Sequence, residues 1–429
     1  MVERDTIKKI LPWLFENKVL IIKGARQVGK TTLLHSLKNL LTEKYKIQNT
    51  NIFYLSLDAE LGNPIFQDAK IFIRYIETKA TSLSFPLFIL LDEFQYINDA
   101  GLFLKIVHDY FQDKVHFIVT GSSSLEITKT SEYLTGRKVE FSLHQFSFLE
   151  FLKTDSKLAF LLDEKMRIND IATIYKKELQ NKFCEYVMFG GFPEVVLQNN
   201  IEKKKVILKE IISTYLQKDI SAFFRIHKIE KFNILTKILV SNISQLLNKY
   251  ELSNTIGLNL ETIDHYLSIL QGTYVFSLLN PFYSNKRKET IKMKKIYIQD
   301  LGYYSYFQNY ATDYNDYNYD LISGNIIENF IFNELNKLYQ DKIYFYRTIS
   351  KAEIDFVILS GKEVIPIEVK FRNKVKTIPE VIKNFRKNYN VSKKTIIITK
   401  NQFKENNEVI FIPVYAFPFF LKNQNNSKK

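Results

Sequence analysis

The sequence predicts an α/β chain of more than one domain, and three observations carry that expectation. Short apolar runs alternate with helical patterns through the first 150 residues, as in βαβ units that build a parallel sheet. The spacing G-x-x-x-x-G-K-T falls between the first run and the first helix. A second set of strands and helices starts near residue 315, beyond a Tyr/Asn/Asp-rich stretch, "QNYATDYNDYNYD" (308–320), that reads as a linker.

The first run, Val19-Leu20-Ile21-Ile22, is continuous and apolar, as expected of a parallel strand buried on both faces. "GARQVGKTT" (24–32) follows and takes two of only 13 glycines. Leu33, Leu34, Leu37, Leu40 and Leu41 then fall at helical spacing. In a strand–loop–helix of this kind the loop's N–H groups curl around phosphates, and the helix N-terminus adds partial positive charge. Gly24, Ala25, Arg26, Gln27, Val28, Gly29, Lys30, Thr31 and Thr32 are therefore the candidate ATP-binding residues. Lys30 is expected to bridge the β- and γ-phosphates, and the Thr31 hydroxyl to hold Mg²⁺.

Further strand-like runs are "NIFYLSLD" (51–58), "LFILLDE" (87–93) and "VHFIVTGSS" (115–123). The second of these delivers Asp92 and Glu93 to the sheet edge where α/β folds bind ligands. Asp92 is expected to accept from water in the Mg²⁺ shell, and Glu93 to act as general base. The run at 115–123 ends in a polar cluster, Thr120 and Ser122 to Ser124. The P-loop ATPase core is thus expected over 1–150.

From 151 to 229 the pattern is mainly helical, a lid or linker broken by "FGGFPEV" (189–195). Residues 230–302 read as helix, turn, helix and two-stranded wing, a winged helix. Its second helix is expected to bury Ile263, Tyr266, Leu267 and Leu270, and to face outward with Asn259, Glu261, Thr262, His265 and Ser268. That outward face holds no lysine or arginine, so it suits a phosphate-lined groove poorly. Basic residues gather between the wing strands instead: Lys286, Arg287, Lys288, Lys292, Lys294 and Lys295. Contact with DNA or RNA is expected at this 286–295 turn; a packing module with a solvated basic turn fits the same residues. An α/β domain is expected over 315–421, with a helix at 324–339 and strands at "KIYFYR", "EIDFVIL", "EVIPIEVKF" and "TIIIT". The tail 422–429 is expected to be disordered.

Hydrophobic residues make up 46% and aromatic residues 14%, which excludes a disordered chain. The net charge of +14 is compatible with a polyanionic partner. Cys184 is the only cysteine, so an internal disulfide and a cysteine-based metal site are excluded. No long apolar stretch and no apolar leader are visible, which predicts a cytoplasmic protein without membrane contact.

"GARQVGKTT", "LLDEFQ", "TGSSS", "LTGR" with "FSLHQFSFLEF", "GGFPEV", "GNIIENFIFNEL" and "EIDFVI" with "IPIEVKF" span roughly 20 to 371. Together they resemble the AAA-type ATPases, and more closely a prokaryotic subgroup whose ATPase domain precedes a domain of unknown function with a nuclease-like core. The resemblance implies that Ser122 reaches the γ-phosphate or its water. It also implies that Arg137 in "LTGRKVEFSL" is an arginine finger, with Arg26 as competitor. A surface arginine bonded to a neighbouring loop fits Arg137 equally well.

"EIDFVILSGKEVIPIEVKF" looks like the restriction-endonuclease-like PD-(D/E)xK pattern, an Asp followed by E-x-K on the next strand. Period-two geometry puts Glu368 and Lys370 on one face, and Glu353 with Asp355 on one face of the neighbouring strand. Such carboxylates suit Mg²⁺, and Lys370 is the candidate to position or activate the hydrolytic water. The resemblance adds Glu328 from the preceding helix, whereas helical projection leaves Glu334 equally placed. Two readings result. One is a Mg-dependent ATPase coupled to a nuclease-like domain that acts on nucleic acid. The other is an ATP-driven switch whose C-terminal domain is a catalytically inactive platform for protein partners. Assembly into an oligomer is compatible with both.

Overall fold

The computed structural model describes residues 2–80, 85–97, 99–122, 132–163, 165–220, 224, 226–282, 293–308, 318–361, 363–389, 391 and 394–426. The chain divides into two units, Met1–Gln145 with Gly272–Tyr274, and Phe146–Gln271 with Val275–Lys429. Among the described residues no helix is long and apolar enough to cross a membrane.

In the first unit, β1 (Val19–Lys23), β2 (Ile52–Ser56), β3 (Leu87–Asp92), β4 (Val115–Gly121) and β5 (Lys138–Ser142) form one parallel sheet in the order β2-β3-β4-β1-β5. The helices Lys30–Glu43, Ala69–Ala80 and Ala100–Phe111 connect it. β3 and β4 are buried along their whole length, which is why they read as unbroken apolar runs. Parallel strands end on one edge, and β4 lies between β1 and β3. The tip of β4 therefore stands between the loop after β1 and the carboxylates after β3. β5 adds to the expected strands; "KVEFS" buries only Phe141, and a short, charged edge strand leaves no apolar run to read.

In the second unit the helices Lys176–Phe189 and Ile201–Thr214 precede three more, Ile229–Ser241, Lys249–Ile256 and Leu260–Gly272. An antiparallel ribbon follows, β6 (Phe276–Leu279) with β7 (Lys295–Ile298). In the helix Leu260–Gly272, Ile263, Tyr266, Leu267 and Leu270 are buried, while Glu261, His265 and Ser268 are exposed. Lys286, Arg287, Lys288 and Lys292 of the basic turn lie outside the described residues, as do Ser123, Ser124 and residues 309–317 of the expected linker.

The second sheet contains β8 (Ile343–Arg347), β9 (Glu353–Ser360), β10 (Glu363–Lys370), β11 (Thr395–Thr399), β12 (Lys404–Glu405) and β13 (Val409–Pro413). Its order is β12-β13-β11-β10-β9-β8, antiparallel from β8 to β10 and parallel across β10, β11 and β13. The ribbon runs directly into this sheet, since Phe282 donates its N–H to the Phe345 carbonyl at 2.6 Å and Phe345 donates to Asn280 at 3.1 Å. The expectation of a disordered tail from residue 422 is corrected for residues 422–426, which continue the helix Phe417–Asn426; residues 427–429 lie outside the described residues. Phe417, Phe419 and Leu421 are buried and anchor that helix, and Lys422 Nζ donates to the Leu162 carbonyl.

The "FGGFPEV" break has a packing reason. The buried Asp300 carboxylate accepts from the N–H groups of Gly191 (2.7 Å) and Gly302 (2.8 Å). Burial pushes its pKa up to about 6, with those two N–H groups opposing. Gly190 has φ of +72°, and a Cβ there would stand 1.8 Å from Asp300 Oδ1. Gly190→Ala should therefore destabilise the fold by at least about 3 kcal/mol. Gly361→Ala, at φ +66° with nothing within 4 Å of the added Cβ, should cost only about 1 kcal/mol. Urea denaturation of both variants checks this; equal losses would show that contact with Asp300 is irrelevant.

Candidate functional site

Two glycines frame the loop for different reasons. At Gly24 any Cβ would lie 2.2 Å from the Leu143 carbonyl oxygen, because the segment after β5 donates Leu143 N–H to Lys23 at 2.7 Å. Gly29 adopts φ 92°, the left-handed conformation that turns the chain into the helix Lys30–Glu43. Gln27 also has positive φ, at 61°. Arg4 Nη1 donates to the Val28 carbonyl at 2.8 Å, and Arg4 Nη2 donates to His144 O at 2.5 Å, tying the loop to the chain after β5.

Lys30 is buried, and its Nζ donates to the carbonyls of Ala25 (2.9 Å) and Gly24 (3.2 Å). It also lies 3.8 Å from Glu93 Oε1. Burial lowers its pKa, with Glu93 and Asp92 opposing and Arg26 adding to the fall. Asp92 is 2% exposed. Its Oδ2 accepts from Thr31 Oγ1 at 2.5 Å and from the Tyr54 hydroxyl at 3.1 Å, and its Oδ1 accepts from Thr120 Oγ1. Burial, then the charge of Asp92, raises Tyr54 to about 12. Thr120 Oγ1 in turn accepts the Glu93 N–H at 3.1 Å. Glu93 Oε2 accepts from Ser122 Oγ at 3.0 Å and from Gln95 Nε2, which also donates to Ser122 Oγ at 2.9 Å.

The structure thus brings Lys30, Thr31, Asp92, Glu93 and Ser122 together, with Arg26 inside the loop and Thr32 exposed on the first helical turn. Arg137 is not brought to this group. It precedes β5, where its carbonyl accepts from Val19 at the start of β1, the sheet edge opposite the loop. Its Nε donates to Asp109 at 2.6 Å. Reasoning from sequence missed Gln95, Tyr54 and Arg4. Gln95 sits two residues past Glu93 in "LLDEFQ", a signal within reach; Arg4 offers none.

The second cluster forms where the β9–β10 ladder ends. Beyond the Phe356–Ile367 pair, side chains take over the backbone donors: Val369 N–H donates to Asp355 Oδ2 at 2.7 Å, and Asp355 N–H donates to Glu368 Oε2 at 3.4 Å. Lys370 Nζ lies 2.5 Å from Glu368 Oε1. Glu328, on the helix Gly324–Tyr339, joins this cluster; Glu334 instead accepts from Phe148 N–H and pairs with Lys337. Lys295, expected in the phosphate-contacting turn, is instead buried among the acids. Its Nζ is 2.9 Å from Glu328 Oε1, in contact with Glu353 Oε1, and 3.9 Å from Asp355 Oδ1. Tyr297 donates to Glu328 at 2.7 Å, and Arg347 pairs with Glu353 at 2.8 Å.

Burial raises Glu328 to about 7, helped by Asp355 and opposed by Lys295. Burial raises Glu368 to about 7, again helped by Asp355 and opposed by Lys370. Burial works against the charge of Lys295, yet Glu328, Asp355 and Glu353 outweigh it and hold its pKa above that of an ordinary lysine. Among the described residues no group of three or more His, Cys, Asp and Glu side chains has an arrangement that holds a metal ion.

Residues 16–152 match the family described as "AAA domain". Residues 180–313 and 323–417 match two domains of unknown function, DUF8612 and DUF4143. An uncharacterized protein of Methanocaldococcus jannaschii is 26% identical over 419 residues, 94% of this chain and 87% of that one. One of Haemophilus influenzae is 25% identical over 379 residues, covering 86% and 87%. Among solved structures, the Aeropyrum pernix ORC1 protein in complex with DNA overlaps with TM-score 0.30 and 11% identity, over 71% of this chain and 91% of that one. The Pif1 helicase from Candida albicans overlaps with TM-score 0.26 and 13% identity, over 43% and 54%. Those TM-scores are too low to bear on function. The sheet, the loop and the family match together make residues 16–152 an AAA-type ATP-binding module.

The pKa shifts in the second cluster have a consequence for stability. Glu328 and Glu368 hold protons more tightly folded than unfolded, so that stabilisation is complete at low pH and fades as pH rises through about 7. Glu368→Gln should flatten the decline in stability between about pH 4.5 and 7, by at most about 1.4 kcal/mol per pH unit for one proton. Denaturation of wild type and variant across that range measures the difference; parallel pH curves would count against a raised Glu368.

Proposed function

We propose that the chain binds Mg–ATP at the tips of β1, β3 and β4 and hydrolyses it, and that the nucleotide state switches a C-terminal platform without nuclease activity. The observation that carries the ATPase half is the continuous hydrogen-bonded chain from Thr31 through Asp92, Thr120, Glu93 and Ser122 to Gln95. The donor set fits Mg²⁺: a hydroxyl at Thr31 and a carboxylate at Asp92, side by side. When bound, Mg²⁺ supplies charge neutralisation for the phosphates. Lys30 exchanges its carbonyl acceptors for phosphate oxygens. Ser122 and Gln95 fix Glu93 Oε2, so that Glu93 is oriented to take a proton from the attacking water. Of the two candidate arginines only Arg26 lies in the loop; Arg137, paired with Asp109 at the opposite sheet edge, is given no role in hydrolysis within its own subunit.

Lys30→Ala should lose ATP binding by calorimetry. Glu93→Gln should bind ATP as wild type does, but turn it over at least about 100-fold more slowly. Wild-type turnover in Glu93→Gln would remove it as general base.

The platform reading draws on Lys295, a cation already seated among the acids. A nuclease reading draws on the contiguity of Asp355, Glu368 and Lys370. On that reading nucleic acid is held electrostatically at the 286–295 turn, and binding weakens steeply with salt. Cleavage of DNA and RNA with Mg²⁺ or Mn²⁺ discriminates. The platform reading expects none from wild type; cleavage by wild type that Lys370→Ala abolishes would establish the nuclease instead.

A further inference from the structure

We infer that the Lys295 ammonium is the permanent cation of the acidic cluster in the C-terminal sheet, occupying the place of the divalent metal that a PD-(D/E)xK pattern implies. The inference rests on the non-catalytic reading of that domain and is independent of the ATPase reading. A metal there would be held by Asp355 and Glu368, with Glu328 as further carboxylate. As folded, these residues do not fit one. Lys295 is 3% exposed, and its Nζ touches Glu328 and Glu353 and lies 3.9 Å from Asp355, so one ammonium spans two of the three carboxyl groups a metal would have to bridge, while the third, Glu368, pairs with Lys370.

Further acceptor positions of the cluster are engaged as well. Glu328 Oε1 also accepts from Tyr297, Asp355 Oδ2 accepts from Val369 N–H, and Glu353 Oε2 pairs with Arg347. Glu368 Oε1 pairs with Lys370, and its Oε2 accepts from Asp355 N–H. The carboxyl groups of Glu328, Glu353, Asp355 and Glu368 thus face the fixed cations Lys295, Arg347 and Lys370. A divalent ion added to four carboxylates and three cations would leave a net positive charge on a cluster whose centre is buried, which is unfavourable.

Nor is Lys295 a side chain free to swing away. It opens β7, pairs with Leu279 across the ribbon, and is bridged to Leu246. Two residues on, Tyr297 stacks on Phe332 with ring centroids 4.2 Å apart. The buried Asn329 side chain then brackets Ile298 through two hydrogen bonds of 2.9 Å. Ribbon, helix and sheet are fastened around the ammonium, unlike a metal site open to exchange.

The test titrates nucleotide-free, full-length protein with Mn²⁺ by calorimetry, with melting curves in parallel. Wild type should show no site that Asp355→Asn removes. Lys295→Met should gain one Mn²⁺ site, more than about tenfold tighter than any in wild type. Lys295→Met combined with Asp355→Asn should lose that site, and only Lys295→Met should melt higher on adding Mn²⁺. A wild-type site removed by Asp355→Asn overturns the inference. So does Lys295→Met that gains no site, or that stays unfolded in saturating Mn²⁺. Metal-independent cleavage of nucleic acid by wild type would sink the non-catalytic reading alone, and absence of ATP binding would sink the ATPase reading alone.

Discussion

A carboxylate as deeply buried as Asp92 must be met by donors, because an unpaired buried charge costs several kcal/mol. Three hydroxyls meet it, and each comes from a different element: Thr31 after the loop, Tyr54 on β2 and Thr120 on β4. One buried charge thus fixes how the loop helix and two strands stand relative to β3. The Thr120 hydroxyl passes the constraint on to the Glu93 N–H. Glu93 has φ 56°, a left-handed conformation that costs a non-glycine residue about 1–2 kcal/mol. That strain turns its side chain from the strand direction towards Ser122 and Gln95.

Legibility followed how local each signal was. The phosphate loop was readable because strand, glycines, lysine and helix are contiguous, and Gly24 and Gly29 each answer a steric need that spacing alone announces. The buried strands β3 and β4 were readable as apolar runs; β5 was not, since an edge strand needs no such run. The side of the sheet on which Arg137 falls depends on β5 running parallel to β1, a long-range pairing that its own neighbourhood does not encode. Lys422 to Asn426 read as a polar tail because the anchors of their helix, Phe417 to Leu421, lie before them.

The C-terminal cluster shows a sharper form of the same limit. Alternation along β9 and β10 placed Asp355, Glu368 and Lys370, since residues two apart share a face. What neutralises them came from elsewhere in the chain. Lys295 belonged, by composition, to a run of basic residues expected to face solvent, and only the docking of β7 against the helix Gly324–Tyr339 turns it inward. A lysine buried with its charge intact is rare and has to be paired; no local pattern in the sequence distinguishes it from the other basic residues of the run.

The continuity between the ribbon and the second sheet matters for anyone dividing this chain. A fragment beginning near residue 315 keeps Glu328, Glu353, Asp355 and Glu368 but leaves Lys295 behind, and it strips Asn280 and Phe282 from their hydrogen bonds with Phe345. Such a piece carries an acidic pocket without its built-in counter-ion, and a bare strand edge at β8. It would collect divalent cations and self-associate, two properties of the cut and not of the protein. The boundary that preserves the chemistry of the C-terminal sheet lies before β6, not at the sequence's most obvious linker.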